Sequence, residues 1–86
     1  MTDITPAAAE IVQRAAGVIA ARHRGDLAGA EKLLAAFGSE QDRTLGFYLL
    51  ADLALGLVGA QSGQSVNDLV RELSLLLADG AQTPPV

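Results

Sequence analysis

The chain has 86 residues, half of them hydrophobic, with ten acidic side chains against six basic ones and a net charge of −4. That length suits one small domain. The lack of cysteine excludes a disulfide framework, a thiolate nucleophile and a zinc–thiolate site, and the acidic balance with scattered arginines argues against a grip on nucleic acid.

Mean hydropathy is +0.31, high for a chain of a size that buries only about 60–65% of its unfolded surface. A second chain is therefore expected to cover part of the apolar surface. Leu and Ala dominate, and Phe37, Phe47 and Tyr48 are the only aromatics. These residues favour helix over strand, so the expected fold class is all-α.

Residues 1–10 hold Asp3, Pro6 and Glu10 and no basic side chain. That is unlike the basic start and apolar run of a signal peptide, so the expected compartment is the cytoplasm. The first helix is expected over about 6–23, capped by Thr5, with Pro6 in the first helical position. Ala8, Ile11, Val12, Ala15, Val18 and Ile19 share its apolar face. Gly25 ends it, and Asp26 caps a second helix over 27–37, whose inner face is Leu27, Ala30, Leu33, Leu34 and Phe37. Gly38 is the expected stop.

Ser39 caps a third helix over about 40–59. Residues 45–60 are apolar on nearly every side, broken by one carboxylate, Asp52. A helix of this kind must be covered by its neighbours or by another chain. At 1.5 Å per residue the stretch spans about 24 Å, short of a roughly 30 Å hydrocarbon core, so no membrane crossing is expected. Ala60 to Gln64 reads as a polar loop. Ser65, with Asp68 three residues on, resembles a capping box for a fourth helix over 66–79. Val66, Leu69, Val70, Leu73, Leu76 and Leu77 form its inward face, and Gly80 closes it. Short connections between four amphipathic helices predict a compact four-helix bundle with the third helix central. Residues 1–80 form the expected domain and 81–86 a flexible tail.

Gly25, Leu27, Ala30 and Leu34 fall where a tetratricopeptide repeat carries its turn glycine and the packing positions of its second helix. Residues 25–37 thus resemble the turn and second helix of such a repeat, and the match with its hairpin covers about a third of the chain. Gly17, Val18 and Ala21 depart from its first-helix pattern, and no second repeat is visible. The resemblance implies peptide or protein binding. Size and acidity also resemble acyl carrier proteins, but Ser39, Ser62 and Ser65 all lie outside the Asp-Ser-Leu motif that carries their prosthetic group.

His23 is the single histidine, so a transition-metal site would rest on carboxylates alone. It is expected to be partly buried at a helix end. No catalytic residue, metal or cofactor is expected. The third helix instead offers a seam of Tyr48 and Asp52 beside Leu53, with Gly56 where another helix can approach closely. Leu75 projects from the polar face of the fourth helix and could widen a contact patch. The expectation is a protein–protein interaction module, self-associating as a homodimer through the third and fourth helices. The alternative is a small acidic inhibitor, of antitoxin or immunity type, masking a basic protein partner.

Overall fold

The computed structural model describes residues 4–82 and is all-α. In chain order the helices are α1 (Pro6–His23), α2 (Leu27–Ala35), α3 (Glu40–Ser62) and α4 (Val66–Gln82). Four helices without a strand among the described residues fit the expected four-helix architecture.

Each helix starts where a side-chain oxygen satisfies one of the first free backbone N–H groups. Ala8 N–H donates to Thr5 Oγ1 (3.1 Å) and Gly29 N–H to Asp26 Oδ1 (2.9 Å). Asp42 N–H donates to Ser39 Oγ (3.0 Å) and Asp68 N–H to Ser65 Oγ (3.1 Å). All four caps are those expected from local sequence.

The helix ends differ more. Among the described residues, only Gly25 (φ 80°) and Gly63 (φ 76°) take the left-handed conformation that stops a helix cheaply. Accordingly α2 ends at Ala35, before Gly38, leaving Phe37 in the following turn. Helix α3 runs through Gly59 to Ser62, and α4 runs through Gly80 to Gln82. The expected tail over 81–86 therefore begins inside α4, and residues 83–86 lie outside the described residues.

Contacts group the chain into two units, residues 1–52 and 53–86. In the first, α1 and α2 pack on each other. Ala15, Val18, Ala21, Ala30 and Phe37 form the buried core, with Ile11, Leu33, Leu34, Phe47 and Leu50 packed against it. Gly46 and Phe47 each lie one helical turn before Leu50, so the first half of α3 presents one face to that core. The approach is close. A methyl on Gly46 would lie 2.7 Å from Ile11 Cγ2 and 2.9 Å from the Ile11 carbonyl oxygen. Phe37 and Phe47 meet with ring centroids 6.1 Å apart, and the Arg14 guanidinium lies 5.6 Å from the Phe37 ring centre.

Two residues expected in this core are outside it: Ile19 and Leu27 are exposed. Leu27 is the first residue of α2. His23 is likewise exposed rather than partly buried.

The second unit has little interior. It comprises the end of α3, the turn at Gly63, and α4. Gly59 is buried because a Cβ there would meet the Gln64 carbonyl oxygen at 2.7 Å, with Leu69 Cδ1 at 3.6 Å. Among the described residues of the unit, Leu69 is the one large side chain that is buried, at 7% exposure. Gln64 Nε2 donates to Glu72 Oε2 (3.1 Å), tying the turn to α4. Of the expected inward face of α4, Val66, Val70, Leu73, Leu76 and Leu77 are exposed. Periodicity identified which face of α4 is apolar. It does not say that the chain supplies a cover.

A candidate interaction surface on α3 and α4

The apolar side chains left in water are concentrated in the second unit. Leu53, Leu57 and Val58 on α3 join Val66, Val70, Leu73, Leu76 and Leu77 on the apolar side of α4. Exposure reaches 73% at Leu77 and is 46% at Leu73. These eight residues lie on two helices joined by the short turn at Gly63, whose left-handed backbone reverses the chain. Scattered exposed leucines are ordinary on a protein surface; a run of them at helical spacing on one element marks a contact site.

Residues Val66, Leu69, Val70, Leu73, Leu76 and Leu77 make an apolar stripe with helical period. Asp68, Arg71, Glu72 and Leu75 lie on the other side of α4. There Arg71 Nη1 is 3.9 Å from Asp68 Oδ1, an exposed ion pair one turn apart. Such pairs contribute about 0–1 kcal/mol. Ion pairs between Arg24 and Asp26 and between Arg43 and Glu40 are equally local and exposed.

The residues singled out in the sequence divide. Leu53 (42% exposed) belongs to the apolar surface. Leu75 is also exposed, but on the charged side of α4, away from the stripe. Tyr48 and Asp52 are both exposed in the first unit, and Asp52 makes no ion pair or hydrogen bond among the described residues. Within one chain their seam faces solvent. Tyr48 also lines a shallow recess of about 490 Å³ with Glu40, Gln41, Thr44 and Leu45, all from α3.

At Gly56 a Cβ would meet nothing within 4 Å, so no helix of the same chain packs closely on it. Close approaches within the chain fall instead at Gly46 and Gly59. The signal that separates them is three-dimensional: Gly46 faces α1, Gly59 faces the turn before α4, and Gly56 faces neither.

Helix α3 extends beyond the apolar stretch at 45–60. With 23 residues α3 is about 34 Å long, not about 24 Å, and by length and composition it could cross a bilayer. Among the described residues no group of three or more metal-ligating side chains occurs. Comparisons of the chain with protein-family models, curated proteins and solved structures find no match.

Proposed function

We propose that this chain is a helical protein–protein interaction module that associates with a second copy of itself through α4 and the C-terminal half of α3. The observation that carries this reading is the set of eight exposed aliphatic side chains on those two segments, Leu75 on the charged side of α4 left aside. Full burial of a Val or Leu stabilises by about 1.5–3 kcal/mol, and roughly half of that is unrealised at each position, or about 6–12 kcal/mol per chain. This is as large as the whole stability of a typical domain, about 5–15 kcal/mol.

Helix α4 needs such cover for a second reason. Isolated helices of about 12–15 residues are marginal in water, and most helix stability comes from tertiary packing. With 17 residues and Leu69 as the one buried side chain among those described, α4 is close to that margin. Association and ordering of α4 are therefore coupled.

Two features favour a protein partner over a bilayer. Asp52 stands within the apolar stretch of α3, where a carboxylate at a bilayer centre costs about 2.5–3.5 kcal/mol or more. In addition, Gly46, Phe47 and Leu50 of the same helix are engaged with the α1–α2 core.

The test is a pair of variants, Leu53→Asp and Leu57→Asp, followed by circular dichroism and light scattering. Both side chains are exposed in the single chain, so the variants should keep the first unit folded and lose self-association. Unchanged association in both would remove α3 from the interface.

A further inference from the structure

We infer, resting on the self-association proposed above, that α4 pairs with α4 of the second copy in antiparallel orientation. The two-fold axis would pass between Arg71 and Glu72. The core of the apolar stripe is Val66, Val70, Leu73 and Leu77, all exposed and spaced four, three and four residues apart. That spacing is the signature of a helix seam that packs on another helix, and it reads the same in both chain directions.

The side chains discriminate between the two directions. An antiparallel pair sets Val66 against the partner's Leu77 and Val70 against the partner's Leu73. Each of the four layers then holds one Val and one Leu, so large faces small at every level. A parallel pair sets Val on Val in two layers and Leu on Leu in the other two. The seam would be thin at one end and crowded at the other.

The rim of the seam identifies the occupant. Asn67 and Ser74 flank it on one side, Leu69 and Leu76 on the other, and none carries charge. A basic partner would be met by acidic side chains at the rim, and the acids of α4 stand further round the helix. A second copy of an acidic chain needs a contact free of like charges, and this seam provides one. Ser74 is already prepared for cover, since its hydroxyl donates to the Val70 carbonyl oxygen at 2.8 Å. Burying it leaves no donor unsatisfied.

Cysteine cross-linking tests the orientation on a background free of native thiols. Val66 and Leu77 are exposed in the single chain, so Val66→Cys and Leu77→Cys should each fold and associate when reduced. They are about 16 Å apart along one helix, well beyond the roughly 7 Å that a disulfide spans between Cα atoms. On oxidation, each variant alone should stay unlinked. An equimolar mixture should give a covalent dimer whose linked peptide joins position 66 of one chain to position 77 of the other. A disulfide dimer from Val66→Cys alone would overturn the antiparallel arrangement. A non-covalent dimer that cross-links in neither experiment would remove α4 from the seam while leaving self-association through α3. A strictly monomeric wild-type chain would overturn both proposals.

Discussion

Replacing Gly46 by Ala adds a single methyl group at the closest approach between α1 and α3. The new carbon would stand 2.7 Å from Ile11 Cγ2, 2.9 Å from the Ile11 carbonyl oxygen and 3.2 Å from Phe37 Cε1. Non-bonded carbons rest about 3.5–4.0 Å apart, so the neighbours must yield. Two of them yield poorly. The Ile11 methyl sits on a β-branched carbon with restricted rotation, and its carbonyl belongs to the α1 backbone. The helices must separate, at a cost of about 1–3 kcal/mol for overpacking. Against this runs the helix-propensity gain of Ala over Gly, about 1 kcal/mol. Gly17→Ala is the matched control in the same unit, because its one near neighbour is Leu33 Cδ1 at 3.2 Å, the free end of a flexible side chain. The propensity term is common to both variants and cancels in their difference. Urea denaturation followed by circular dichroism should place Gly46→Ala about 1–3 kcal/mol below Gly17→Ala. Equal stability, or a more stable Gly46→Ala, would refute the close crossing of α1 and α3.

Other consequences follow from the same contacts. Asp52→Asn should leave self-association unchanged within a factor of about two, since an exposed charge with no partner contributes under about 0.5 kcal/mol; loss of the dimer in sedimentation velocity would put the Tyr48–Asp52 seam at the interface. Ser39→Ala removes the oxygen that accepts from Asp42 N–H and should lower stability by about 1 kcal/mol, read as a lower urea midpoint. Amide hydrogens of α4 should exchange quickly at low protein concentration and slow as concentration rises, because association orders that helix. Protection in α4 that is high and independent of concentration would contradict the coupling.

Local chemistry explains what could be read in advance. Thr5, Asp26, Ser39 and Ser65 act on N–H groups three residues away, so their caps are written in short stretches of sequence. Helix ends at glycine are different, because a glycine stops a helix only if its φ turns positive. Gly63 does so, while Gly59 stays helical beneath Leu69 and the Gln64 carbonyl. That outcome depends on the turn and on α4, which lie beyond the local window. The same limit governs Gly46 and Gly56. Both interrupt an apolar helix, and only the placement of α1 makes one a contact and the other open space. For the candidate surface, the stripe on α4 was legible at period 3.6, but its exposure was not. A stripe looks alike whether its cover comes from the same chain or from another.

The central claim is that the α3–α4 surface is buried by a second copy. Sedimentation equilibrium on the wild-type chain over a range of micromolar concentrations measures this directly. Burial of that surface by a second copy requires a mass that rises with concentration toward twice the 8.8 kDa of one chain. A mass that stays at 8.8 kDa throughout would contradict it.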